Sequence, residues 1–133
     1  RILAGYEKKL YLGNINVRRD WGHAKDYVQA IWKILQYKKP EDFVIATEIN
    51  HSIEDFLKEV FQLVNLDWKK FVVTNHKKFL RPSEVKNLRG DSSKAKRLLN
   101  WKPKYKVKDI CRSLLENDLK IHNLDFKKEV RDF

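Results

Sequence analysis

The stretch Asn16–Val28, "NVRRDWGHAKDYV", sets two arginines, an aspartate and a histidine just before an amphipathic pattern. The first turn of a helix exposes unpaired backbone N–H groups and carries the positive end of the helix dipole, so an anion is favoured there. A guanidinium beside that end can hold a phosphate through two parallel hydrogen bonds. Arg18 and Arg19 are therefore candidates for anion binding. An ion pair between Arg19 and a carboxylate is the competing use of the same side chain. On charge and position alone the two arginines are interchangeable.

"FLRPSEV" (Phe79–Val85) supplies a second candidate. Pro82 disfavours helical backbone at Arg81 and so limits where its guanidinium points. Glu84 follows one turn later, and its carboxylate can accept hydrogen bonds from paired sugar hydroxyls. An arginine for a diphosphate and a carboxylate for a ribose would together grip a nucleotide. A surface Arg–Glu ion pair would use the same two residues.

Other reactive side chains point to structure. The four histidines (His23, His51, His76, His122) show no i, i+4 pair of the kind that holds a metal on a helix, so no metal site is expected. His23 stands at a helix start, where capping or packing is the expected role. Cys111 is the only cysteine, which excludes an intrachain disulfide and a Cys-based zinc site. It falls on an apolar stripe and is read as a buried thiol, not a nucleophile.

These residues need elements to position them. "KLYLGN" (Lys9–Asn14) reads as a short strand ended by Gly13-Asn14. Ala24, Tyr27, Val28, Ile31 and Leu35 form a helical stripe from His23 to about Tyr37, with Pro40 beyond its end. "FVIAT" (Phe43–Thr47) reads as a buried strand. Ser52 and Asp55 form a capping box for a helix whose apolar face is Ile53, Phe56, Leu57, Val60 and Val64. "KKFVVT" (Lys69–Thr74) reads as a third strand. Asp91 is the candidate N-cap of a helix through Leu99, with Asn100 as its left-handed stop. Val107, Ile110, Cys111, Leu114 and Leu115 mark a last helix to about His122. The expectation is a small, helix-rich α/β unit with three short strands and about four helices: one domain over residues 1–122 and a charged tail over 123–133. The stripes on its helices have more apolar surface than the strands can cover, so the unit reads as part of a larger core.

Composition narrows the class. The chain of 133 residues is 42% hydrophobic, enough for a folded domain with a modest core. No apolar run approaches the roughly 18 residues that span a bilayer, so no membrane segment is expected. No signal peptide is visible, and a cytoplasmic location fits. The absence of any Met suggests a processed or excised piece of something longer. The net charge of +11 is uneven: residues 1–76 balance at +2 and residues 77–133 at +9. Lys94–Lys108 holds seven positive residues and no acid. A basic module for nucleic acid would use such a run. The run is lysine-rich and lacks a nucleic-acid motif, so a solvated surface is the preferred reading.

The order of motifs, "KLYLGN…RRDWGHAKDYVQAIWKILQ…PEDFVIAT…HSIEDF…FLRPSEV…GDSSKAKRLLNWKP", resembles the C-terminal half of the GDP-mannose 4,6-dehydratases, within the extended short-chain dehydrogenase/reductase family. The resemblance runs from about Leu10 to Lys120. It implies the C-terminal, substrate-binding part of such a fold, with the Rossmann domain absent from this chain. The complete enzyme would hold NADP in that N-terminal Rossmann domain, form homo-oligomers and act on GDP-mannose. It would oxidise C4 of the mannose, eliminate water across C5–C6 and return the hydride to C6, giving GDP-4-dehydro-6-deoxy-D-mannose. By motif position Arg19 is similar to the family's diphosphate-binding arginine, and Arg81 and Glu84 to its nucleotide-gripping pair. Leu12 and Asn14 look like the wall beside the guanine. Arg18 has no such match and is expected at the surface.

The resemblance also implies what this chain lacks. The family's hydride chemistry requires Tyr-x-x-x-Lys, but the five tyrosines are followed four residues later by Leu10, Ile15, Ile31, Glu41 and Asp109. Gly5, Gly13, Gly22 and Gly90 cannot make a glycine-rich dinucleotide turn. No catalytic, cofactor-binding or metal-binding residue is therefore assigned, and the isolated chain is expected to be inactive and to bind no NADP. A non-catalytic remnant with a scaffolding role is the other alternative. Three positions depart from the family pattern. Glu48 stands where a glycine is usual, Asn100 replaces a glycine, and Arg89 replaces an apolar residue. If the backbone at residue 48 needs a positive φ, Glu48 is strained by about 1 kcal/mol or more.

Overall fold

The computed structural model describes residues 1–125 and Lys128. Along these run β1 (Leu10–Tyr11), β2 (Arg18–Asp20), α1 (Ala24–Leu35), β3 (Asn50–Ser52), α2 (Ile53–Leu63), β4 (Val72–Val73), α3 (Ser93–Leu99) and α4 (Val107–Ile121). Short 3-10 turns cover Trp68–Lys70 and Lys77–Phe79. The chain gathers into two units, each built from separated stretches. The first takes residues 1–17, 52–86 and 111 onward, and the second takes 18–51 and 87–110.

In the first unit β1 and β4 pair in parallel, Leu10 opposite Val72 and Tyr11 opposite Val73. The Leu12 N–H extends the ladder, donating to the Val73 carbonyl at 2.9 Å. Helix α2 starts as its sequence requires. The Ser52 hydroxyl accepts from Asp55 N at 3.0 Å, and the Asp55 carboxylate accepts from Ser52 N at 2.9 Å. Loss of such a cap costs about 1 kcal/mol. Ile53, Leu57 and Phe61 recur at helical spacing, so one face of α2 meets Ile15 and Val72 in the core, with Leu12, Trp68 and Phe71 around it.

The second unit packs α1 and α3 around Ala30, Ala95, Leu99 and Trp101. Trp101 is almost fully buried and donates its indole N–H to the Asp26 carbonyl at 3.0 Å. The buried Asp26 carboxylate accepts from Lys104 N at 2.9 Å and Tyr105 N at 3.0 Å. At the other end of α3, Asn100 takes the left-handed conformation (φ 47°), the stop expected of it. Lys33 closes that end by donating to the Leu99 and Asn100 carbonyls at 2.9 and 3.1 Å.

Several sequence expectations change. Phe43–Thr47 joins no ladder among the described residues. Its apolar content reflects burial of Ala46 and partial burial of Phe43 and Ile45, not strand pairing. Strands form instead at β2 and β3, whose charged and polar sequences carry no strand pattern. On α1 the expected stripe is not the buried one. Asp26 and Ala30 face inward with Tyr27 and Ile34, while Val28, Ile31, Trp32 and Leu35 are each more than half exposed. The helix carries two apolar rows, and periodicity alone selected the wrong one. Helix α3 begins one residue later than Asp91 predicts. Ser92 is its N-cap residue, and the Asp91 carboxylate accepts from Ser93 N at 2.9 Å. Most of the charged tail over 123–133 lies outside the described residues.

Candidate functional site

Strand β2 presents Arg19 between two anchored neighbours. Alternate side chains on a strand take opposite faces, so Arg18 and Asp20 share one side and Arg19 takes the other. Arg18 is half-buried, which corrects the expectation of a surface residue. Its Nε donates to Asn50 Oδ1 at 3.2 Å and its Nη2 to the Asn50 carbonyl at 2.8 Å. Asn50 Nδ2 in turn donates to Asn87 Oδ1, and Arg18 forms a parallel bridge with Asn87. The Arg18 carbonyl accepts from Leu88 N at 3.1 Å and from Arg19 Nη1 at 2.8 Å.

Asp20 fixes the other side. Its carboxylate accepts from Thr47 N and Glu48 N, both at 2.9 Å, from the Thr47 hydroxyl, and from Gly90 N at 3.3 Å. A carboxylate meeting four donors is held tightly, and so is the strand that carries it.

The glycine of "RRDWGH" has a steric cause. A Cβ on Gly22 would lie 2.3 Å from the Tyr27 hydroxyl, so the Tyr27 ring lies directly against the Gly22 backbone. Burial, then the charges of Asp20 and Asp26, push the Tyr27 phenol above its ordinary range. His23 is a cap: its Nδ1 accepts from Lys25 N at 3.1 Å, and its ring stacks on Tyr105 at 4.3 Å.

Glu48 does have positive φ, at 65°. Its carboxylate accepts from the Ser92 N–H and hydroxyl, both at 2.9 Å, and pairs with Lys96. Those bonds, Lys96 first, hold the Glu48 carboxyl below its ordinary range.

The remaining candidates lie in the first unit. Leu12 packs against the core, and its carbonyl accepts from His76 N at 2.9 Å. Asn14 Oδ1 accepts from Asn16 N at 2.9 Å, closing a local turn. Between them, Gly13 admits another backbone: a Cβ there would sit 2.3 Å from the Phe79 carbonyl oxygen. The Leu12–Asn14 stretch thus lies against the residues that lead directly into Arg81. Arg81 is exposed and Glu84 half-buried. Arg19 belongs to the second unit, and the first unit holds Leu12, Asn14, Arg81 and Glu84. Sequence reading missed Asn50, Asn87 and Thr47, whose anchoring roles come from partners 27 to 37 residues away.

A family model described as GDP-mannose 4,6 dehydratase matches residues 1–114. The chain belongs to that family. It is similar to GDP-mannose 4,6 dehydratase 1 of Arabidopsis thaliana, with 47% identity covering 91% of this chain and 33% of that protein. The Homo sapiens GDP-mannose 4,6 dehydratase is 39% identical over 91% of this chain and 37% of its own length. The chain thus spans about a third of the length of these curated relatives. Among solved structures it resembles RMD from Pseudomonas aeruginosa complexed with NADPH, with a TM-score of 0.75, 18% identity, and coverage of 87% of this chain and 38% of that one. It also resembles UDP-glucose 4-epimerase from Thermotoga maritima with UDP-glucose, with a TM-score of 0.73, 23% identity, and coverage of 91% and 37%. The fold is the α/β arrangement found in part of these extended short-chain dehydrogenase/reductase enzymes.

Proposed function

We propose that this chain is the GDP-gripping portion of a GDP-mannose 4,6-dehydratase. The family match over residues 1–114 carries this reading. In it Arg19 pairs with the diphosphate, Arg81 and Glu84 hold the nucleotide, and Leu12 and Asn14 line the guanine. The anchoring of β2 supports the role of Arg19, because a guanidinium on a fixed strand loses less freedom when it binds.

The hydride chemistry belongs to a Rossmann part outside this chain, where NADP would act as hydride acceptor and donor. The described residues do not fit that cofactor. Gly13 and Gly22 serve close packing, against Phe79 and Tyr27, and form no dinucleotide turn. The exposed row of Val28, Ile31, Trp32 and Leu35 supports a larger assembly that covers it. A cytoplasmic, homo-oligomeric complete enzyme is part of the same reading. The lysine-rich run serves as ordinary surface in this account, with Lys94 paired to Glu41 and Lys96 to Glu48.

Calorimetric titration of the chain with GDP and GDP-mannose tests the proposal. Binding of both is expected, with Arg19→Ala, Arg81→Ala and Glu84→Ala each weakening it about tenfold or more. No dehydration of GDP-mannose is expected from the chain with NADP alone. Turnover by the chain alone would sink the division of labour. Salt-steep RNA or DNA binding without GDP binding would replace the proposal with a nucleic-acid module.

A further inference from the structure

We propose that Arg18 is a positioning residue for the nucleotide site, acting with Asn50 and Asn87 to fix the carbonyl that aims the Arg19 guanidinium at a guanosine diphosphate. The inference rests on the reading of Arg19 as the diphosphate contact. It concerns a different residue, which touches no ligand in that reading.

The chain of contacts is continuous. Arg19 Nη1 donates to the Arg18 carbonyl at 2.8 Å, so that oxygen sets one edge of the Arg19 guanidinium plane. The same oxygen accepts from Leu88 N at 3.1 Å, which holds it from the segment that follows the Asn87 bridge. The Arg18 side chain then fixes its own residue by a two-point grip on Asn50, side chain and carbonyl together. Asn50 passes the restraint to Asn87 through its amide. Asn87 is the residue that bridges back to Arg18, so the three residues close a ring around β2.

Residue type matters at each point. The planar guanidinium presents donors in a fixed fork and reaches both Asn50 oxygens at once, whereas a lysine ammonium on a flexible stem holds no such geometry. Asn50 accepts from Arg18 at its side-chain oxygen and donates to Asn87 from its side-chain nitrogen, two separate atoms of one amide. Orientation of a charged group within about an ångström separates tight from weak binding, so a residue that touches no ligand can control affinity through this oxygen.

Calorimetric titration with GDP and with guanosine tests it, using the chain and the variants Arg18→Ala, Arg18→Lys, Asn50→Ala, Arg19→Ala and Arg18→Ala/Arg19→Ala. Arg18→Ala is expected to weaken GDP about tenfold while guanosine changes less than twofold. Arg18→Lys, which keeps the charge, should lose at least fivefold. Asn50→Ala, which removes no charge, should reproduce the loss and serves as a second route if Arg18→Ala does not fold. In the Arg19→Ala background, adding Arg18→Ala should change GDP affinity less than twofold, because Arg18 acts through Arg19.

Parallel losses for GDP and guanosine would overturn the proposal in favour of a merely structural role. Full rescue by lysine would show that charge, not positioning, is at work. A loss that persists without Arg19 would make Arg18 a direct contact. If Arg19→Ala weakens GDP and Arg18→Ala does not, this inference alone falls. If the parent chain binds no GDP, or Arg19→Ala leaves GDP affinity unchanged, the nucleotide assignment fails and this inference fails with it.

Discussion

The Glu48 carboxylate accepts both the Ser92 N–H and the Ser92 hydroxyl at 2.9 Å, from a backbone held at φ 65°. A side chain in the left-handed region costs energy that glycine avoids. The bonds to Ser92 and Lys96 offset that cost. Glu48→Ala keeps the strained φ and loses the bonds, so it should lower Tm by about 5 °C or more. Glu48→Gly loses the bonds but relieves the strain, and should stay within about 3 °C of the parent. A larger fall for glycine than for alanine in thermal melts would refute this balance.

The same carboxylate predicts a pH response. Its pKa is lowered on folding, so the unfolded chain binds the proton more readily than the folded one. The stabilisation is therefore full above the ordinary value of 4.5 and is lost as pH falls below it, through the folded pKa. Asp91, lowered chiefly by its bond from Ser93 N, adds a contribution of the same sign. The Tm difference between the parent and Glu48→Gln should be constant from pH 8 to about 5.5 and shrink below about 4.5. A gap that widens on acidification would reverse the assignment.

Asp26 is a structural carboxylate under Trp101. Asp26→Ala leaves the Lys104 and Tyr105 N–H groups without their acceptor and should cost about 3 kcal/mol in urea denaturation. Asp26→Asn keeps an acceptor oxygen and should cost about half as much. Equal losses for the two variants would show that the charge matters more than the acceptor.

Gly13→Ala brings a methyl group within 2.3 Å of the Phe79 carbonyl oxygen, and a backbone atom cannot swing aside as a side chain end would. We expect a loss of about 2 kcal/mol, together with weaker GDP binding as the residues leading to Arg81 shift. A variant with parental stability would show that residues 79–80 yield without cost.

Cys111 is buried on α4, and burial pushes its thiol up to about 12. At pH 8 only about one molecule in ten thousand carries the reactive thiolate. A disulfide reagent such as DTNB should modify the native chain at the rate of global opening, and complete the reaction within seconds once urea unfolds it. Fast, stoichiometric labelling of the native chain would contradict the burial.

Local chemistry was legible in the sequence where its partners are local. Ser52 and Asp55 lie three residues apart, and their reciprocal cap follows from that spacing. Asn100 stops α3 because asparagine tolerates the left-handed region, a property of one residue. The inward face of α1 was not legible. Its two apolar rows are equivalent in periodicity, and only contacts with Ala95, Leu99 and Trp101 distinguish them. The anchors of β2 were hidden for a related reason. Arg-Arg-Asp carries no strand pattern, and Asn50, Thr47 and Asn87 gain their roles only when distant segments meet. Motif position distinguished Arg19 from Arg18 where charge and place beside the helix did not.

The interleaving of the two units has a consequence for synthesis. The chain passes between them at residues 17/18, 51/52, 86/87 and 110/111, so neither unit is a continuous stretch of polypeptide. A ribosome releasing the chain from its N-terminus completes the second unit once residue 110 emerges. The first unit then still lacks Cys111, Leu119 and the rest of its final segment, although its residues 1–17 precede the second unit in the chain. Residues 1–17 therefore wait for the segment that begins at Cys111, and the unit that holds Arg19 has all its residues before the unit that holds Arg81 and Glu84.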